Sequence, residues 1–248
     1  MTSIHVLSDL HLEFDGYQPA AIDVDIVVLA GDIHIGTQGF LWAKENFPDS
    51  EIIYVAGNHE FYHHDYQELL SQFRKEAEKY HIHFLENNEV VLHDIRFLGC
   101  TLWTDYLCSD DLSQQEAQQI LNHRLADHRV IQVDNELFTT GHAFNLHKNS
   151  AAWLEEKLFN ETFEGKTVVV THHGPSKCCI HKKYGAGELA GAFYSDLPDL
   201  INEADVWIYG HTHSNLDISI NKTRLISNQR GYPNEEILDF NQDLKIMI

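Results

Sequence analysis

Five times in this chain a short run of strand-forming residues stops at a carboxylate, an amide or an imidazole. Ile4, Val6 and Leu7 end in Ser8, Asp9 and His11. Ile26-Val27-Val28-Leu29-Ala30 ends in Gly31-Asp32, and Ile52-Ile53-Tyr54-Val55-Ala56 in Gly57-Asn58-His59-Glu60. Thr167-Val168-Val169-Val170-Thr171 runs into His172-His173-Gly174-Pro175, and Val206-Trp207-Ile208-Tyr209 into Gly210-His211-Thr212-His213. Runs that are apolar at nearly every position suit strands buried on both faces. In open α/β sheets the loops at the strand ends converge on one edge, where ligands bind.

Asp9 and His11 are two apart, so in extended backbone both point the same way. A lone histidine after a strand is most often a hydrogen-bonded structural residue. Asp9, His11, Asp32, Asn58, His59, His172, His211 and His213 brought to one edge are harder to dismiss. Two carboxylates, an amide oxygen and several imidazoles need a cation among them. Oxygen and nitrogen ligands without thiolate suit manganese, iron or zinc.

Between these strands the pattern alternates to helix. Residues 36–47 carry Phe40, Leu41, Ala43, Lys44 and Phe47 along one side, and Tyr66, Leu69, Leu70, Phe73, Ala77 and Tyr80 give the clearest helical stripe. Two short strands are expected at 89–93 and 96–100. Residues 101–143 break the rhythm. Ser113 and Glu116 form a capping-box pattern ahead of Ala117, Ile120, Leu121 and Leu125. This is a helical insertion over or beside the site; packing is its simpler role and a lid the alternative. A helix over 144–158, a short one near 196–202, a hairpin around Asn221-Lys222 and a final strand complete the chain. The alternation argues for a layered α/β fold, and with no repeat or linker in sight residues 1–248 read as one domain.

The formal net charge of −21 disfavours an extended nucleic-acid footprint. Cys100, Cys108, Cys178 and Cys179 form no Cys-x-x-Cys pair and read as reduced thiols. No signal peptide or membrane-length apolar run is visible, so a cytoplasmic location without membrane contact is expected.

The order Asp9-Leu10-His11, Gly31-Asp32, Gly57-Asn58-His59-Glu60, His172 and Gly210-His211-Thr212-His213 resembles the calcineurin-like metallophosphoesterase family, with every family block present and in order. The resemblance implies a four-layer sandwich of two β-sheets flanked by helices. It implies two divalent or trivalent metal ions (Mn, Fe or Zn). Asp9, His11 and His213 would hold one, Asn58, His172 and His211 the other, and Asp32 would bridge them. His59 matches the non-ligand general acid, and Glu60, where many members have Asp, would orient it. The neighbouring His173 leaves open which imidazole of the doublet binds; the first matches the family pattern. The implied activity is hydrolysis of a phosphomonoester or phosphodiester of a small phosphorylated substrate by metal-activated hydroxide. A non-catalytic metal-binding scaffold of the same fold is the alternative, and oligomeric state is not legible. Arg230 and Tyr232 are candidates for a phosphate contact, Tyr62, His63 and His64 for the pocket lining, and Trp103, Asp105 and Tyr184 for substrate contact.

Overall fold

The structure is a computed structural model that describes every residue except Asp110, Tyr184 and Ala186. Tyr184 and part of the 184–191 loop therefore lie outside the described residues.

Two sheets lie face to face. The first contains β1 (Ser3–Leu7), β2 (Ile26–Ala30), β3 (Glu51–Val55) and β4 (His83–Phe84), all parallel. The second contains β5 (Asn88–Leu92), β6 (Ile95–Cys100), β9 (Lys166–Thr171), β10 (Val206–Ile208), β11 (Leu216–Ile220) and β12 (Thr223–Ser227), with β5 and β11 antiparallel at its edges. β13 (Lys245–Met247) closes the first sheet antiparallel to β1, and β7 (Gln132–Val133) with β8 (Glu136–Leu137) forms a separate small hairpin.

The apolar runs work on both faces, as their unbroken composition requires. Val6, Val28, Ala30, Val55, Phe97, Val170, Ile208 and Ile226 pack between the sheets. The alternate residues Leu7, Leu29 and Tyr54 meet the helices α1 (Gln38–Asn46) and α2 (Tyr66–Tyr80) through Phe40, Leu69 and Phe73. On the far side Leu98, Val169, Trp207 and Leu225 pack with Leu154 of α5 (Thr140–Glu155) and with Leu200 and Ile201 of α6 (Pro198–Ile201). The expected double-sheet sandwich flanked by helices is the observed architecture.

The 101–143 insertion carries α3 (Gln114–Arg124), capped by Ser113 and Glu116 as its sequence indicates, and α4 (Asp127–Val130). It also holds the β7–β8 hairpin, whose two-residue strands are too short to give a period. α5 starts four residues before the expected 144, because Thr139 and His142 close a capping box with an imidazole in place of the usual Glu. Leu41, expected on one side of α1 with Phe40 and Ala43, is 45% exposed while those two are buried. Among the described residues no helix is long and apolar enough to cross a membrane.

Candidate metal centre

The strand-end residues meet where the two sheets' carboxyl ends adjoin, in two adjacent clusters. In the first, His213 Nε2 lies 3.3 Å from Asp9 Oδ1 and 3.1 Å from His11 Nε2. In the second, His172 Nε2 lies 3.1 Å from both Asn58 Oδ1 and His211 Nδ1. Asp32 stands between them: Oδ2 is 3.9 Å from His11 Nε2 and Oδ1 is 3.4 Å from His172 Nε2. His172, rather than His173, enters the cluster. His173 Nδ1 instead bonds the Thr101 carbonyl at 3.1 Å.

The donors are aimed by what holds their other ends. His11 Nδ1 bonds Glu13 at 3.2 Å, His213 Nδ1 bonds Glu235, and His172 Nδ1 donates to the Ala30 carbonyl at 2.9 Å. With Nδ1 held by these acceptors, each imidazole turns Nε2 into its cluster, a bare lone pair whenever the ring gives up its second proton. Lone pairs opposed at about 3 Å repel, and a cation between them turns the repulsion into ligation. The donor set therefore fits a metal at each cluster, and Asp32 can offer one oxygen to each. The fields agree. Burial opposes the Asp32 charge, yet His172, His59 and His11 hold its carboxyl well below the usual range. Against the same burial, Asp32 raises His172 to about 9, and Asp9 with Glu235 raises His213 to about 10. Both clusters draw positive charge.

The backbone is bent to make this possible. Asp9, His11, Asp32, His211 and His213 all adopt left-handed conformations, with φ of 51°, 48°, 54°, 69° and 46°. Such residues cost about 1–3 kcal/mol each and persist only where their surroundings over-determine them. Here Asp9 N–H donates to Gly31 O, His11 N–H to Asp32 O, and His211 N–H to the Asp9 carboxylate. Gly57 is required by proximity, since a Cβ there would stand 2.1 Å from Asp32 Oδ1.

A cavity of about 700 Å³ opens from the clusters. Its walls include Leu125, Ala126 and Arg129 from the insertion, Leu189 and Phe193 from the 181–194 segment, and Tyr62 beside His59. The insertion both packs on the core and shapes this space. An Arg124–Glu188 ion pair of 3.0 Å links the two walls, and its exposure makes it a weak tie.

The calcineurin-like phosphoesterase family model matches residues 2–215. This chain is a calcineurin-like phosphoesterase. It is 26% identical to an uncharacterized protein of Acanthamoeba polyphaga mimivirus, over 95% of this chain and 93% of that one. In fold it is similar to phosphopantetheinyl hydrolase from Mycobacterium tuberculosis, with a TM-score of 0.78, 18% identity and coverage of 97% of this chain and 93% of that one. A putative 5'-nucleotidase from Staphylococcus aureus gives a TM-score of 0.50 at 16% identity, over 92% of this chain and 49% of that one. Calcineurin-like phosphoesterases use divalent metals, and the His and Asp groups of this chain could bind them.

Within this calcineurin-like phosphoesterase, His59 stands beside both clusters. Its partner is not the one expected from sequence. His59 Nδ1 bonds Glu13 Oε1 at 2.8 Å, and Nε2 meets the Tyr232 hydroxyl at 2.9 Å. Burial opposes a charge on His59, but Asp32 and Glu13 outweigh it and raise its pKa above the ordinary value. Glu13 is drawn the other way: despite burial, its bonds to His11 and His59 bring its carboxyl down to about 2.

Glu60 turns away from the imidazole. Its two oxygens accept the N–H groups of Asp32, Ile33 and Gly57 and the Tyr54 hydroxyl, all within 2.8–2.9 Å. Burial and the Asp32 charge push its carboxyl above the usual range. Four donors nonetheless use all four lone-pair positions, which favours the ionised form. Glu60 thus ties the end of β2 to the end of β3. Glu60→Gln sets an amide NH₂ against at least one backbone N–H donor, and we expect it to lower unfolding stability by about 2 kcal/mol. Denaturant unfolding checks this; normal stability with lost turnover would return Glu60 to the acid.

Arg230 is also spent elsewhere. Its guanidinium donates to the Leu10 and Asp15 carbonyls and the Asp15 carboxylate, at 3.0, 3.3 and 3.1 Å. Trp103 is 2% exposed in the core and Asp105 caps the Leu107 amide, while His63 and His64 are not among the residues lining the cavity. The sequence reading missed Glu13, Asp127 and Glu235. Glu13 left a trace, continuing the two-residue spacing of Asp9 and His11. Asp127 and Glu235 reach the site only through tertiary structure and leave no local pattern.

Proposed function

We propose that this protein hydrolyses a phosphoester of a small substrate at a two-metal centre. The observation that carries the proposal is Asp32, whose two oxygens face two separate donor clusters. Asp9, His11 and His213 would hold one ion, Asn58, His172 and His211 the other, with Asp32 shared. Manganese, iron and zinc suit this oxygen and nitrogen set. Two such ions would supply Lewis acidity at the phosphoryl oxygens and a water acidic enough to act as nucleophile. The protein's own residues do the rest. Glu13 fixes the ring of His59 through Nδ1, so the proton destined for the leaving oxygen sits on Nε2. Tyr62 stacks on the same ring, with centroids 4.2 Å apart, and holds its tilt. The apolar side of the cavity favours a compact organic arm. A net charge of −21 disfavours a polyanion.

The test is a paired panel of an activated phosphomonoester, the matching phosphodiester and a phosphopantetheinyl diester, the last chosen from the name of the Mycobacterium tuberculosis neighbour. Metal-stripped protein should be inactive and should recover on adding Mn²⁺, Fe²⁺ or Zn²⁺. Diester turnover would define a phosphodiesterase, and monoester turnover a phosphatase. Two bound metals with no turnover on any member would favour the non-catalytic scaffold.

A further inference from the structure

The insertion reaches the candidate centre through a buried side chain, Asp127. α4 presents it 7% exposed, and its Oδ1 accepts hydrogen bonds from Asn58 Nδ2 at 2.9 Å and from the Tyr62 hydroxyl at 2.7 Å. An asparagine amide has two ends of nearly equal shape, and only its hydrogen-bond partners decide which end faces where. A carboxylate only accepts, so it can face only the NH₂ end. The opposite end, Oδ1, is thereby left on His172 Nε2 at 3.1 Å. Turned the other way, the amide would aim two N–H groups at the second cluster and oppose any cation there.

We propose that Asp127 is a positioning residue that sets Asn58 oxygen-inward and so completes the second metal position. This deepens the two-metal reading above and rests on it. The proposal gives the insertion a second role. The turn that puts Leu125, Ala126 and Arg129 on the cavity wall also fixes one ligand of the centre. Through Tyr62, stacked on His59, the same carboxylate braces the ring of the candidate acid.

The test is Mn²⁺ titration of the metal-stripped full chain by calorimetry, with electron paramagnetic resonance reporting the paired ions. Asp127→Ala and Asp127→Leu remove the acceptor; Leu fills the volume that Ala vacates, and near-ultraviolet circular dichroism shows which variant folds. The expected result is one site unchanged and the other weakened about 10–100-fold, as for loss of a residue supporting a ligand. Asp127→Asn keeps an oxygen able to accept both bonds but adds an NH₂ end of its own, so it should weaken the same site less than the acceptor-less variants do. The inference is overturned if the acceptor-less variants bind two ions as the wild type does, or if Asp127→Asn fails as badly as they do. Wild-type protein that never binds a second ion would instead overturn the two-metal reading itself.

Discussion

Replacing Asp32 by Ala should remove both metal positions together. Asp32 is the residue with an oxygen toward each cluster, and it also accepts the His59 N–H at 2.9 Å. Its loss leaves two imidazole groups facing each other across each cluster with no shared negative charge to hold a cation pair. Metal analysis after gel filtration should fall from two ions per chain to less than one. Turnover should fall by more than the ~10²–10⁴-fold that loss of a general acid costs. A variant that kept two ions and normal turnover would show that the centre lies elsewhere.

His59→Gln should separate chemistry from metal binding. His59 Nδ1 and Nε2 are engaged by Glu13 and Tyr232, and although the ring stands within reach of His11 and Asp32, each cluster has its donors without it. Both ions should remain, while hydrolysis of an ester with an alkoxide leaving group drops ~10²–10⁴-fold. A nitrophenyl ester should suffer far less, because a nitrophenolate leaves without a proton. An equal loss on both esters would assign His59 to binding or metal ligation instead of proton delivery.

What could be read from the sequence divides along a physical line. The strand ends were legible because an apolar run interrupted by Asp or His marks both the strand and its functional end within a few residues. The four layers followed from alternating helix and strand periods together with the family resemblance. The place expected for Glu60 beside His59 is taken by Glu13, since adjacency to His59 in sequence does not put Glu60 beside the ring. The turn at the end of β3 points Glu60 back at the amides of Asp32, Ile33 and Gly57. Arg230 looked suited to phosphate by its chemistry alone, yet three backbone carbonyls and the Asp15 carboxylate take its donors. Asp127 was invisible for a simpler reason. Its partner Asn58 lies 69 residues away, and no periodicity links them.

Each donor cluster takes members from both sheets: Asp9 and His11 with His213, and Asp32 and Asn58 with His172 and His211. His11 and His213 lie 202 positions apart. Contacts this distant in sequence form late, after the loops between them have closed. A growing chain with only β1–β4 folded offers Asp9, His11, Asp32 and Asn58 but lacks the imidazoles of His172, His211 and His213. On the two-metal reading, a complete cage for either ion exists only once the two sheets have docked.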